Sequence, residues 1–460
     1  MSEAKATLQM LIDEFDKHSE YVNGKIERGI EENRKGLFNI LLLDVDGNPI
    51  ESDNVIINQV SHEFKFGAPL FVIDQLDSEA KNEQYKEAFK KLFNYTVLPV
   101  YHKDIETEPA VYRFDENSPF IWRRPPLDTI VNFCRENNIG MKAHCLVYNS
   151  FNPDWFKGMS NREININIDE YMSAISKRYS KDILDMDVIN EMFSIYKNCY
   201  FGFASRNLHI TDERDHVEKM FTWARKYFPY TKLFWNEGSF ETFGNGDYKG
   251  FRSRYYLMLK EQLTNNVPID GVGMQYHLYA TQGTKDGDAS AYRALCNPLR
   301  MIDVLESYSE FNLPIHISEI SVPSYSNEQE DEELQAELAK RVYSLFFSSK
   351  NVESLVWWNM CDNMAHKSES VFHTGILRED ISPKPVYKVL DELINNVWHT
   401  KFSTKTKRNG RIEFTGFYGD YDVSFTYGGI EHTKRISLKK ENTGFDNRLL
   451  APRTIVVKAE

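Results

Sequence analysis

The sequence predicts an α/β fold, a (β/α)8 TIM barrel carrying a small accessory β-sandwich built from the N- and C-terminal segments. Three observations lead there. Between residues 62 and 397, strand-like runs alternate with amphipathic helical stretches, and eight strand candidates can be marked. None of them is followed by a GxGxxG or GxxxxGK(S/T) phosphate loop, which makes an open doubly wound sheet the weaker reading. Both ends of the chain carry alternating apolar segments broken by turn formers, too few at either end to fold alone.

The elements follow in order. Over residues 1–35, Leu8, Leu11, Ile12, Phe15, Val22, Ile26 and Ile30 recur at near-helical steps between charges, which predicts one amphipathic surface helix. Residues 36–61 change to runs rich in Val, Ile, Leu and Phe, separated by Asp46-Gly47-Asn48-Pro49, a cluster of turn residues. The barrel strands are expected at 62–68, 95–101, 141–148, 184–190, 232–236, 271–277, 315–320 and 354–358. Helices are expected at 79–93, 127–136, 167–179, 212–227, 291–308 and 327–349, the last with an acidic first turn that complements the helix dipole. In residues 398–460, Ile412 and Phe414, then Tyr421, Val423, Phe425 and Tyr427, alternate with polar residues, and Asn409-Gly410 and Gly428-Gly429 mark turns. This segment and 36–61 are expected to pair into the sandwich.

Composition bounds the function. The 460 residues are 41% hydrophobic, 13% aromatic and 27% charged, a globular mixture. The net charge of −13 opposes polyanions, so neither nucleic acid nor an anionic membrane is an expected partner. Five cysteines without CxxC spacing argue against a disulfide framework. No apolar run is long enough to span a bilayer, and residues 1–35 do not read as an export signal. A cytoplasmic location is expected, or a secreted one if a signal segment once preceded Met1. No His, Asp or Glu cluster has metal-ligand spacing, so neither a metal nor a cofactor is expected.

In such a barrel the chemistry lies at the C-terminal ends of the strands. Those positions hold Lys103, His144, Tyr148, Asn190, Glu191, Asn236, Glu237, Gln275, His277, Glu319 and Trp357. Amides, imidazoles, carboxylates and aromatics suit a neutral polyol, which needs hydrogen-bond partners for hydroxyls and flat faces for sugar rings. Glu191 and Glu319, on strands four and seven, can face one another across the mouth and flank one glycosidic bond. A separation of about 5 to 5.5 Å would give retention, and about 6.5 to 9.5 Å inversion. Asn-Glu occurs four times, at 82, 190, 236 and 327, and only position distinguishes the pairs. Glu237 is a second candidate proton donor, one strand too late. Trp155, Tyr196, Tyr200, Phe201, Tyr276 and Tyr279 are either sugar platforms or loop packing. Arg123 and Arg124 either meet a uronic acid or form a solvated or salt-bridged pair.

Five segments, in order from about 62 to 397, resemble glycoside hydrolase family 10, the xylanase family. Met186-Asp187-Val188-Ile189-Asn190-Glu191 is similar to its acid/base strand, and His316-Ile317-Ser318-Glu319-Ile320-Ser321 to its nucleophile strand. Gly271-Val272-Gly273-Met274-Gln275-Tyr276-His277 follows the family's Gly-Ile-Gly-Met-Gln-x-His. Lys142-Ala143-His144-Cys145-Leu146-Val147-Tyr148-Asn149 is similar to Arg-Gly-His-Thr-Leu-Val-Trp-His, and Leu233-Phe234-Trp235-Asn236-Glu237 ends as the family's Asn-Asp or Asn-Glu strand. The resemblance implies Glu319 as nucleophile and Glu191 as acid/base in a retaining hydrolysis of β-1,4-xylosidic bonds. It implies substrate contacts from Asn190, Lys103, His144, Tyr148, Asn236, Gln275, His277 and Trp357, with Asn190 on the sugar 2-hydroxyl. The chain departs from the pattern where Pro99-Val100 stands for a Glu-Asn pair, Tyr148-Asn149 for Trp-His, Ser321 for an aspartate and His366 for a tryptophan. A substrate other than plain xylan, shorter or decorated, is therefore expected. The alternatives are a retaining β-glycosidase for another plant glycan or glycoside, and a carbohydrate-binding protein without catalysis.

Overall fold

The structure is a computed structural model that describes residues 2–194, 213–244, 249–281, 287–440, 445–446, 451–452 and 454–459. The chain divides into two compact units, residues 1–22, 66–347 and 351–389 in one and residues 23–65, 348–350 and 390–460 in the other.

The first unit is a closed barrel of eight strands, each beside its neighbour in sequence: Lys65–Pro69, Tyr95–Pro99, Gly140–Val147, Ile183–Asn190, Lys232–Glu237, Gly271–His277, Ile315–Ser321 and Val352–Trp357. The pairings between them are parallel. Nearly every residue of these strands is buried, as expected when a parallel sheet is covered on both faces. The barrel interior is polar in places. Lys142 pairs with Asp187 at 2.7 Å while lying 4.7 Å from the Phe234 ring, and His316 stacks on that ring at 4.1 Å.

Local chemistry sets several helix bounds. Ser160 and Glu163 form a reciprocal capping box, so the helix expected at 167–179 starts earlier and spans Asn161–Tyr179. The single helix expected at 291–308 is two, Gly287–Cys296 and Pro298–Ser309, because Asn297 caps the second and Pro298 occupies its first turn. Likewise the one helix expected over 1–35 is two, Glu3–Asp16 and Ser19–Arg34. No helix among the described residues is long and apolar enough to cross a membrane.

The second unit draws strands from both ends of the chain. Lys35–Leu43 pairs antiparallel with Arg411–Phe417 and parallel with Thr454–Lys458. Val55–His62 pairs with Lys401–Thr404 and Gly419–Tyr427, and the latter continues to Ile430–Leu438. The two sheets share one core, with Phe38, Ile40, Leu42, Ile412 and Phe414 from the first against Val55, Ile57, Tyr421, Val423 and Phe425 from the second. The first barrel strand was expected at 62–68; the strand of this unit instead runs through His62, and the barrel begins at Lys65.

Candidate active site

At the C-terminal mouth of the barrel the fourth, fifth, sixth and seventh strands bring together one hydrogen-bonded network. The fully buried Asn236 amide is its hub: Nδ2 donates to Asn190 Oδ1 at 2.8 Å and to Glu319 Oε1 at 3.0 Å, while its Oδ1 accepts from Ser318 Oγ at 2.5 Å. Room for that hub comes from a glycine. Gly273 lies in register with Asn236, and a Cβ there would stand 2.2 Å from Asn236 Oδ1. Gly271 likewise leaves room for the Phe234 ring.

Glu319 is 4% exposed and its other oxygen lies 3.1 Å from His277 Nε2. Since a carboxylate only accepts, Nε2 donates to it, while Nδ1 lies 2.9 Å from the Ser321 hydroxyl. Tyr279 OH lies 3.0 Å from Ser321 Oγ and completes this row. His144 Nε2 stands 3.9 Å from Glu319 Oε1, and its Nδ1 is held by Asp187 at 2.9 Å.

Glu191 follows the fourth strand with φ of +49°, a left-handed conformation that few non-glycine residues adopt. Hydrogen bonds from two successive amides hold this kink, Glu191 N to Asn236 O at 3.0 Å and Met192 N to Glu237 Oε1 at 2.8 Å. The Glu191 carboxyl accepts from Gln275 Nε2 and from Tyr148 OH, both at 2.8 Å. Burial, and secondarily the charge of Glu319, raise its pKa, while the Gln275 and Tyr148 bonds oppose the rise.

The structure thus gathers Asn190, Glu191, His144, Tyr148, Asn236, Gln275, His277 and Glu319 in one place. Two expected residues lie elsewhere. The Trp357 indole is fully buried behind its strand, donating to Thr374 O at 2.8 Å and packing near Tyr343. Its neighbour Trp358 takes the expected place, with its ring edge-on to His144 at 5.5 Å and to His277 at 6.3 Å. Lys103 sits on the short helix His102–Ile105 and pairs with Asp154 at 2.8 Å.

Glu237 is fully buried and accepts from Trp235 Nε1 at 2.9 Å as well as from Met192 N, so it braces the Glu191 kink and is closed to substrate. Burial pushes its carboxyl well above the ordinary range. Trp155 packs its loop, bonding to Glu106 O, and Tyr276 is buried with its hydroxyl on Leu295 O. Tyr196, Tyr200 and Phe201 lie outside the described residues. His366 is exposed. Sequence reasoning missed Asp187, which orients both Lys142 and His144; an aspartate two residues after Asp185 in an apolar strand was the available signal. Among the described residues no group of three or more His, Cys, Asp or Glu could hold a metal ion.

A closed parallel barrel with two carboxyls and a ring of amides and imidazoles at its C-terminal mouth is the architecture of the barrel glycoside hydrolases as a class. The model of glycosyl hydrolase family 10 matches residues 59–393, and the chain belongs to that family. Over 404 residues it is 24% identical to the Anti-sigma-I factor RsgI6 of Acetivibrio thermocellus, a match that covers 87% of this chain and 46% of that protein. It is 25% identical to the Beta-1,4-xylanase of Dictyoglomus thermophilum, covering 64% and 78% of the two chains. The chain therefore spans less than half the length of the first of these relatives. Among solved structures, xylanase 10B from Thermotoga petrophila RKU-1 in complex with xylobiose superposes with a TM-score of 0.55 at 20% identity, covering 73% of this chain and 95% of that one.

Proposed function

We propose that the chain hydrolyses β-1,4-xylosidic bonds in xylan or xylo-oligosaccharides, preferring short or decorated ones, by double displacement. The observation that supports this most is the shared network of Glu191 and Glu319. Their strands oppose one another, Asn190, Asn236 and Gln275 link them, and burial, with the charge of Glu319 second, raises the pKa of Glu191 as a proton donor requires.

In the first step a Glu319 oxygen forms a bond to the anomeric carbon as the bond to the leaving oxygen breaks, and the Glu191 carboxyl gives its proton to that oxygen. In the second step Glu191, now ionised, takes a proton from water; the water oxygen bonds to the anomeric carbon and releases Glu319. The His277 and Asn236 donors on Glu319 fix its orientation and spread its negative charge. Asn190, held by Asn236, presents its amide to the 2-hydroxyl, a contact that strengthens as charge develops on the ring. A neutral oligosaccharide partner follows, with no role assigned to a metal. A cytoplasmic setting fits imported short oligosaccharides better than polymer.

The test is hydrolysis of linear and decorated xylo-oligosaccharides and of β-glucan oligosaccharides by wild type, Glu319→Ala and Glu191→Ala. Glu319→Ala should lose all turnover with an unchanged melting curve. Glu191→Ala should keep activity only on substrates with very good leaving groups, which need little protonation. Turnover of an unactivated oligosaccharide by both variants would overturn the assignment. A binder without catalysis is distinguished because wild type and Glu319→Ala would then bind alike and cleave nothing.

A further inference from the structure

We propose that Arg123, with Asn359 and the rings of Phe71 and Trp358, forms a subsite on the glycone side of the cleft for the carboxylate of a uronic acid carried by the oligosaccharide. The inference rests on the reading of Glu319 as nucleophile, because that reading places the glycone along the wall that runs from His144 and His277 to Trp358.

Arg123 is 8% exposed, yet it has no ion pair among the described residues. Its Nη2 donates to Asn359 Oδ1 at 3.2 Å, while its Nε is buried without an acceptor. The adjacent Arg124 is different. It pairs with Asp104 at 2.8 Å and lies over the Tyr101 ring at 4.2 Å, so its charge is already answered. Glu369 is a nearby acid, but it bonds to the Nδ2 of Asn359 at 3.1 Å, which keeps the amide between the carboxylate and Arg123. A buried guanidinium with an unmet donor is costly, and a carboxylate, which accepts two parallel N–H bonds, is the ligand that best relieves it.

The position is built and tied to the cleft. Arg123 has φ of +62°, and its N–H donates at 2.8 Å to Gln75, whose own amide holds Ile121 O at 2.9 Å. Its guanidinium lies 5.6 Å from the Phe71 ring, which stands edge-on to Trp358 at 5.4 Å, and Trp358 adjoins His144 and His277. The residues expected to read hydroxyls on this side are replaced by the buried Pro99 and Val100, the latter donating its N–H to His144 O at 2.8 Å. Where hydroxyl-reading groups are expected, this side has apolar walls and a guanidinium without an ion pair among the described residues, its Nε lacking an acceptor. In a chain of net charge −13, attraction for an acidic sugar has to be local.

Calorimetric binding to the full chain carrying Glu319→Ala tests this without turnover. The probes are linear xylotetraose, the same chain with a glucuronic acid branch, and an oligosaccharide ending in a uronic acid at its non-reducing end. At least one acidic probe should bind about tenfold tighter than the neutral one, and which one does so tells branch from terminus. Adding Arg123→Gln should bring the acidic-to-neutral ratio to about one, with Arg123→Lys between. Equal binding of acidic and neutral probes with Arg123 intact overturns the inference, as does a preference that survives Arg123→Gln. If Arg123→Gln does not fold, the ratio measured with Arg123 intact decides. Failure of the hydrolase reading looks different: wild type would cleave none of the probes while the acidic preference persists.

Discussion

The raised pKa of Glu191 fixes the sense of the pH dependence. With Glu191 as the proposed proton donor, activity should fall as pH rises through its folded pKa, which desolvation and then the charge of Glu319 raise from the ordinary carboxylate value. Stability follows the same sign, since the stabilisation from binding that proton is present below the unfolded pKa and lost as pH rises through the folded one. Tyr148 OH donates to the ionised form and lowers the pKa. Tyr148→Phe should therefore move the alkaline limb of kcat/KM to higher pH, and a limb that stays or moves down would remove Tyr148 from this role. Much of this was legible in sequence, since Glu191, Glu319, Asn236, Gln275 and His277 all lie at or near the C-terminal ends of strands. Glu237 was not, because its dipeptide is the same as that of Glu191 and only the structure shows its Oε1 accepting from both Trp235 and Met192.

At the scale of the strand, side-chain direction alternates, and an error of one residue exchanges inside for outside. That is how Trp357 came to be expected in the cleft. Val356 belongs to a buried cluster with Phe71, Tyr101 and Trp358, whereas Trp357 packs near Tyr343 of the helix Gln329–Ser348. Two adjacent tryptophans give no sequence signal of parity. The helices were legible wherever an apolar stripe ran long, and their ends were misplaced where capping decided, at Ser160 and Asn297. The sixth strand carries a specific packing requirement. Gly273→Ala would drive a methyl into Asn236, whose backbone Cα as well as its amide stands in the way. The strain should cost roughly 1 to 3 kcal/mol of stability. Displacing the hub shared by Asn190 and Glu319 should also lower kcat by roughly a hundredfold, far more than a binding defect would. Kinetics and a melting curve on this variant check both, and a kcat within a factor of two would show that the hub is not needed.

For the whole molecule, the pairing of the terminal segments was legible because neither end carries enough strands to cover an apolar face, whereas the register was not, since alternation alone does not choose partners. The observed register makes a strong demand. Lys35–Leu43 has both its sheet neighbours, Arg411–Phe417 and Thr454–Lys458, within the last fifty residues, and Val55–His62 has both of its own between residues 401 and 427. A chain ending at residue 399 would strip every sheet partner from the two N-terminal strands and uncover Phe38, Ile40, Leu42, Val55 and Ile57, all now 1% exposed or less. At about 1.5 to 3 kcal/mol for each such side chain, the loss is comparable with the whole stability of a typical domain, about 5 to 15 kcal/mol. The truncated chain should therefore aggregate or bind a hydrophobic dye, and melt well below the full chain in differential scanning calorimetry. A barrel with an unchanged transition and no dye binding would mean that residues 36–61 find other cover, and that the two-ended unit is not required by the fold.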